Sequence, residues 1–221
     1  MQVIPAINAQ SLAEVKEKLG ILKKFVPRGS WLQLDVGDGI FSSIETWRDP
    51  VEFGAMKNSY KWEIHLMVEN PEDVAELWLK AGAGRLAVHL EAMRNSALIM
   101  DLCQKYDAEL MLAINPETIA ENLIPYFHNI RHFLVLAVPP GKSGQTFGDY
   151  INGFTTPINR ILEKVEFLRE RAPDARIEVD GGVNLDVARK VKEAGADIVA
   201  VASHIFKSHN PEAAYRELGE I

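Results

Sequence analysis

Two aspartates, Asp35 and Asp180, each stand at the end of a short apolar run of this 221-residue sequence. Two carboxylates on opposite sides of one carbon atom can move a proton between its faces, because one removes the proton and the other returns it. An enediolate forms between the two steps when that carbon lies beside a carbonyl, and a divalent cation held by the carboxylates would stabilise its oxygens. We therefore predict that the two aspartates are an acid–base pair. The alternative is that each is a salt-bridged or helix-capping loop residue.

Other polar residues accompany the aspartates. His65 lies in the apolar run 62–68 and could be a further ligand of the cation, although a hydrogen-bonded core histidine fits its position almost as well. Gly181 and Gly182 follow Asp180 directly and precede a helical pattern, and Ser203 follows the last apolar run. Backbone N–H groups in such loops commonly hold a phosphate.

The elements that would position these residues alternate along the whole chain. Short apolar runs predict strands at 3–7, 31–36, 62–68, 86–90, 109–114, 133–138, 176–180 and 198–202, and amphipathic patterns between them predict helices, among them 11–25, 71–81, 184–194 and 211–221. Strands that alternate with helices form a parallel sheet, either a closed barrel or an open doubly wound sheet.

A closed barrel is favoured, because eight strands are predicted and no Gly-x-Gly-x-x-Gly follows the first of them. The predicted fold is therefore one (β/α)8 TIM barrel domain over residues 1–221. Its active site is expected at the C-terminal ends of the strands, where period-two alternation places Gln33 and Asp35 on one strand, His65 and Met67 on the next, and Asp180 on the seventh.

Composition narrows the classes of partner. The net charge of −7 comes without any basic run, which argues against nucleic acid, and no apolar run is long enough for a transmembrane helix. The one cysteine, Cys103, lies in an apolar stretch and is expected to be a buried thiol. A chain without a disulfide framework is expected to be cytoplasmic. Self-association into a homo-oligomer stays open.

Five segments together resemble the ribulose-phosphate 3-epimerase family over nearly the whole chain. They read LDVGDG at 34–39, IHLMV at 64–68, VHLEA at 88–92, PGKSGQTF at 140–147 and IEVDGGVN at 177–184. The resemblance implies a (β/α)8 barrel that interconverts ribulose 5-phosphate and xylulose 5-phosphate. It implies Asp35 and Asp180 as acid and base, and Asp35, His65 and Asp180 as ligands of a divalent cation such as Zn, Fe, Mn or Co. The substrate-binding residues that it implies are Met67, Gly144, Gly181, Gly182 and Ser203. Apart from the resemblance, Lys142 in the long loop predicted after the sixth strand could be a charged helper.

The sequence departs from the family pattern at several positions. Gln33 stands where the family has a histidine ligand, so the fourth metal ligand is predicted to be an amide. Gly37 replaces a methionine, Ala6 a serine and Ala202 a glycine. In the loop after the sixth strand, Pro139 replaces an asparagine, Lys142 a phenylalanine and Ser143 a glycine.

These departures leave alternatives to the pentose-phosphate 3-epimerase. One is an epimerase of a related ketose phosphate, with the pocket enlarged at Gly37. Another is a degenerate barrel that binds a sugar phosphate with little or no catalysis, which the loss of the histidine at Gln33 would favour. A lyase of the related decarboxylase group is set aside, because Gly37 stands where its Asp-x-Lys-x-x-Asp array needs lysine.

Overall fold

Eight parallel strands form a closed barrel, as predicted. The computed structural model describes residues 1–56, 58–145, 150–151, 154–155 and 157–221. The barrel strands are β1 (Gln2–Ile7), β2 (Trp31–Gly37), β3 (Lys61–Met67), β4 (Arg85–His89), β5 (Glu109–Ile114), β6 (His132–Leu136), β7 (Arg176–Asp180) and β8 (Ile198–Val201). Each strand pairs with the next in the chain, and β8 pairs with β1 from Gln2 opposite Ile198 to Pro5 opposite Val201. The open doubly wound alternative is therefore wrong.

Helices follow most of the strands. They are α1 (Leu12–Leu22), α2 (Pro50–Ala55), α3 (Pro71–Lys80), α4 (Ser96–Lys105), α5 (Ile158–Arg171), α6 (Leu185–Ala194), α7 (Ser203–Phe206) and α8 (Pro211–Gly219). The predicted caps are present: the side chains of Ser11 and Asn184 accept backbone N–H groups at the starts of α1 and α6. Gly195 ends α6 with a φ of 113°, a left-handed conformation that glycine adopts without strain. Among the described residues, no helix is long and apolar enough to cross a membrane.

Two connections differ from the regular β/α pattern. After β5 the chain forms a 3-10 helix, Ala120–Tyr126, with Pro125 inside it. Proline lacks a backbone N–H and clashes with the preceding turn of an α-helix, which accounts for the short irregular helix. The long connection predicted after β6 contains a small antiparallel pairing of residues 150–151 with 154–155. Residues 146–149, of which the first two end the fourth family segment, lie outside the described part of the chain.

The barrel interior is divided into an apolar and a polar side. The apolar side consists of small and medium side chains on β4, β5 and β6, namely Ala87, Met111, Ala113, Leu134 and Leu136. The polar side is lined by residues of β2, β3, β4 and β7, namely Gln33, Glu63, His65, Arg85, His89 and Glu178, which are all at most 4% exposed. Buried polar groups must find partners inside the protein. The larger apolar core lies between barrel and helices, and there Cys103 is buried as predicted.

Arg85 closes the N-terminal end of the polar side. Its guanidinium lies 2.7 Å from Glu63 and 3.9 Å from Glu178, and it packs 4.3 Å from the ring centroid of Trp31. Burial raises the pKa of Glu178 well above its ordinary value, and the nearby Glu63 carboxylate raises it further. Arg85 thus faces two buried carboxyl groups, Glu63 and Glu178, and burial raises the pKa of both. This cluster supports the polar residues of the layer above it.

Candidate active site

Four polar side chains meet at the C-terminal end of the barrel. The Nε2 atom of Gln33 donates to Asp35 Oδ1 at 2.7 Å and to Asp180 Oδ2 at 2.8 Å. His65 Nδ1 lies 3.6 Å from Asp35 and 3.3 Å from Asp180. β2 and β7 lie three strands apart around the ring. The two aspartates thus approach one gap from different sides of the barrel.

The charge of His65 balances part of the charge of the two carboxylates. Burial alone would lower the pKa of this fully buried histidine. The hydrogen bonds and negative charges of Asp180 and Asp35 outweigh burial and raise the pKa of His65 to about 10. Without a cation in the gap, His65 is therefore an imidazolium at neutral pH.

The side chains around the gap fit a divalent cation. Ligand atoms of Asp35, His65 and Asp180 all lie within 4.8 Å of one another. Gln33 is fully buried, and its Oε1 atom has no hydrogen-bond partner among the described residues, while its Nε2 lies between the carboxylates. A half-turn of the amide would place Oε1 in the gap as a fourth ligand. Two carboxylates, one amide oxygen and one imidazole suit a cation that prefers oxygen, such as Mn²⁺.

The predicted substrate-binding residues surround one cavity beside the gap. The enclosed part of this cavity has a volume of about 40 Å³. Its lining includes Met67, Gly144, Gly181, Gly182 and Ser203, together with Lys142, Asp35 and Asp180. The structure therefore brings the two predicted groups of residues, the acid–base pair and the glycine-rich loops, to the same place.

Gly181 and Gly144, which both line this cavity, have positive φ angles that favour glycine. Gly181 has a φ of 101°, and a Cβ atom there would lie 2.5 Å from Cγ2 of Val138. Gly144 has a φ of 87°, and a Cβ atom there would lie 2.6 Å from Nζ of Lys207. The missing side chain at Gly144 thus leaves room for the ammonium group of Lys207, a residue that sequence analysis missed.

The prediction that Gly37 enlarges the pocket is wrong. A Cβ atom at Gly37 would lie 2.6 Å from Oγ of Ser42 and 2.9 Å from the carbonyl oxygen of Ile44. The chain after β2 folds back over this glycine and is held there by Thr46, whose hydroxyl accepts from Gly37 N and donates to the Asp35 carbonyl. The space that a methionine would take is therefore filled by the protein itself.

Asn8 is a second residue that sequence analysis missed. Its Nδ2 donates to Asp35 Oδ2 at 3.1 Å and to the Gly141 carbonyl at 2.9 Å, and its own carbonyl accepts from Lys18 Nζ. Asn8 thus orients one catalytic candidate and ties it to the loop after β6. The signal was available, because Asn8 follows Ala6 in the alternation at the end of β1.

Comparisons with known proteins agree with this geometry. The sequence profile described as "Ribulose-phosphate 3 epimerase family" matches residues 2–206. The chain belongs to the ribulose-phosphate 3-epimerase family. Ribulose-phosphate 3-epimerase of Schizosaccharomyces pombe is 30% identical over 96% of this chain and 89% of that protein. The enzyme of the same name from Chlamydia muridarum is 34% identical over 80% of this chain and 76% of its own length.

A solved structure shows the same fold at low identity. The 3-hexulose-6-phosphate synthase from Salmonella typhimurium superposes with a TM-score of 0.71 over 100% of this chain and 97% of that chain, at 14% identity. This likeness concerns the barrel alone. The family membership confirms the prediction of an isomerase, an epimerase of carbohydrate phosphates.

Proposed function

We propose that this protein is a pentose-phosphate 3-epimerase that interconverts ribulose 5-phosphate and xylulose 5-phosphate, with Asp35 and Asp180 as the acid–base pair. The observation that carries the proposal is their meeting at one gap beside a glycine-lined cavity at the C-terminal mouth. In (β/α)8 barrels this mouth is where catalysis takes place. The proposed enzyme is one domain over residues 1–221.

The reaction needs two proton transfers at C3. One aspartate takes the C3 proton, and the electron pair of the broken C–H bond forms the C2–C3 double bond of an enediolate, while the C2 carbonyl oxygen gains the negative charge. The other aspartate, which must enter the cycle as the protonated acid, then donates its proton to the opposite face of C3 and is left as a carboxylate. In the reverse direction the two exchange roles. His65 and the Gln33 amide, both buried beside the gap, supply positive charge and hydrogen-bond donors near the enediolate oxygens.

Asp35, His65, Asp180 and Gln33 are the residues that would hold a divalent cation. Such a cation, when bound, stabilises negative charge on the enediolate oxygens. Because the Gln33 amide must turn to offer its oxygen, binding of a cation breaks the two hydrogen bonds that Gln33 donates to the carboxylates. We infer that this protein binds its metal more weakly than a relative with histidine at this position, and that it favours Mn²⁺ over Zn²⁺.

The phosphate group of the substrate would lie against Gly144, Gly181, Gly182 and Ser203. Backbone N–H groups at positive-φ glycines form such anion sites. Lys207 beside Gly144, and Lys142 on the cavity wall, add positive charge to a protein whose net charge is −7.

A coupled assay tests the proposal. Purified protein is incubated with ribulose 5-phosphate, with and without Mn²⁺, Zn²⁺, Fe²⁺ or Co²⁺, and xylulose 5-phosphate is measured. The control substrate is ribulose itself, which offers the same C3 but no phosphate. We expect turnover of the phosphorylated sugar and loss of turnover after chelation. Binding of ribulose 5-phosphate without turnover under any of these conditions would favour the degenerate barrel instead.

A further inference from the structure

His89, at the end of β4, is a buried polar residue, and Glu91, two residues further on, has a side chain that is 23% exposed. The reaction scheme uses neither of them. His89 is fully buried, and its Nε2 lies 2.9 Å from Nε2 of His65. The two imidazole planes differ by 17°, and Phe41 packs against the other side of His89 at a centroid distance of 4.9 Å. The edge of His65 that points away from the gap is therefore in direct contact with a second histidine.

The positions of the protons on His65 and His89 follow from the groups that each nitrogen atom contacts. His65 offers Nδ1 to the gap, so its Nε2 carries a proton, and His89 must accept that proton at Nε2. His89 can accept only if its other nitrogen, Nδ1, carries its proton. The Nδ1 atom of His89 lies 3.4 Å from Glu91 Oε2, which is a long contact. If Nδ1 had no proton, its lone pair would face the negatively charged carboxylate and be repelled by it. This arrangement gives the His65–His89 contact one donor and one acceptor, and it turns an N–H of His89 towards Glu91, although at 3.4 Å that N–H makes no hydrogen bond among the described residues.

Glu91 is itself held in place. Its Oε1 accepts the backbone N–H of Asn115 at 2.7 Å and the hydroxyl of Thr118. Burial would raise the pKa of Glu91, but the contact with His89 and these hydrogen bonds lower it to about 2, so the carboxylate is charged. Lys164 on α5 donates to the carbonyls of Asn115 and Pro116 at 2.9 and 2.6 Å and fixes the same loop. These contacts thus end on the loop after β5, which Lys164 anchors.

We propose that His89 and Glu91 are positioning residues, which fix the ring orientation and proton arrangement of His65 so that its Nδ1 faces the gap between Asp35 and Asp180. The expected effect on catalysis rests on the proposed function, whereas the expected position of the His65 ring does not. Polar partners of a ligating histidine commonly act in this way, and their loss weakens metal affinity or activity by about 10–100-fold.

Three variants separate positioning from simple packing. His89→Leu fills the space but cannot accept from His65, whereas His89→Asn offers an amide that can accept from His65 and donate to Glu91. Glu91→Gln removes the charge that His89 faces. The matched control is Glu72→Gln, because Glu72 also accepts two backbone N–H groups of a neighbouring loop, from Arg94 and Asn95, without touching a histidine.

The measurements are kcat and KM with ribulose 5-phosphate, Mn²⁺ affinity by calorimetry, thermal unfolding, and crystal structures of His89→Leu and wild type. We expect His89→Leu and Glu91→Gln to lose about 10–100-fold in kcat and in Mn²⁺ affinity with KM little changed. His89→Asn should recover most of the loss, and Glu72→Gln should resemble wild type. In the crystal of His89→Leu, the His65 ring should be turned out of the gap.

Unchanged kcat and Mn²⁺ affinity in His89→Leu, or a His65 ring that keeps its place in that crystal, would overturn the inference. Equal losses in His89→Asn and His89→Leu would also overturn it, since they would indicate packing alone. Failure of the proposed function looks different, because wild type itself would then not convert ribulose 5-phosphate. The position of the His65 ring in the two crystals would still decide the structural part.

Discussion

Replacing Gln33 with leucine removes the amide between the two catalytic candidates. Gln33 is fully buried and donates to Asp35 and Asp180 at 2.7 and 2.8 Å. Hydrogen bonds to charged groups contribute about 1.5–3 kcal/mol each, so the two together contribute about 3–6 kcal/mol. Burial of the more apolar leucine side chain returns about 1.5–3 kcal/mol of this. We therefore expect the free energy of unfolding of the metal-free Gln33→Leu protein to fall by about 1.5–3 kcal/mol.

Urea denaturation of the metal-free proteins measures this loss of stability. Calorimetric titration with Mn²⁺ measures how the same side chain affects the affinity for metal. Gln33→His is the matched variant, because an imidazole offers a nitrogen ligand without first giving up two amide hydrogen bonds. We expect Gln33→His to bind Mn²⁺ and Zn²⁺ more tightly than wild type and to keep epimerase activity.

Two results would refute this account of Gln33. A Gln33→Leu protein as stable as wild type would mean that the amide does not bridge the carboxylates in solution. A Gln33→His protein with unchanged metal affinity would mean that the amide does not oppose metal binding.

Three further predictions concern residues outside the gap. Arg85→Met leaves Glu63 as an uncompensated buried charge, and urea denaturation should show a loss of about 3–5 kcal/mol; a loss below about 1 kcal/mol would contradict the ion pair. Lys207→Met should raise KM for ribulose 5-phosphate at least about tenfold with kcat nearly unchanged, whereas Lys190→Met, on an exposed face of α6, should leave both constants unchanged. Burial, and to a smaller extent the charge of Arg85, lowers the pKa of His132 from 6.5 to about 4. Between pH 6.5 and pH 4 the unfolded chain therefore binds a proton at His132 that the folded protein does not bind. The free energy of unfolding should therefore fall as pH drops from 6.5 to 4, and His132 should account for a decrease on the order of 1–3 kcal/mol. Urea denaturation of His132→Asn over this pH range should show a correspondingly smaller decrease.

Much of the barrel follows from local patterns in the sequence. Each barrel strand is a short apolar run, and capping residues such as Ser11 and Asn184 mark the helix starts, so both features are local and readable. Because the side-chain period of a strand is two, Asp35 and His65 could be placed at the mouth before the structure was known. Strands 109–114 and 176–180 have the predicted ends, and the other six differ by one or two residues, since hydrogen bonding to neighbours determines where a strand stops.

What could not be predicted depends on contacts between distant segments. Nothing near Gly37 indicates that Ser42 and Ile44 fold back over it. Lys207 lies against Gly144 only because the loops after β6 and β8 meet at the barrel mouth. Likewise, Arg85 forms an ion pair with Glu63 inside the barrel because the two residues lie opposite each other on β3 and β4. Sequence patterns give no sign of this buried charge.

The central claim is that Asp35 and Asp180 transfer a proton on opposite faces of C3. The most direct test is to incubate the protein with ribulose 5-phosphate in D₂O and follow C3 of substrate and product by NMR, beside Asp35→Asn and Asp180→Asn. The account predicts that xylulose 5-phosphate carries solvent deuterium at C3 and that each variant loses at least about 100-fold in turnover. Product that keeps the original C3 hydrogen, or a variant that turns over at nearly the wild-type rate, would contradict it.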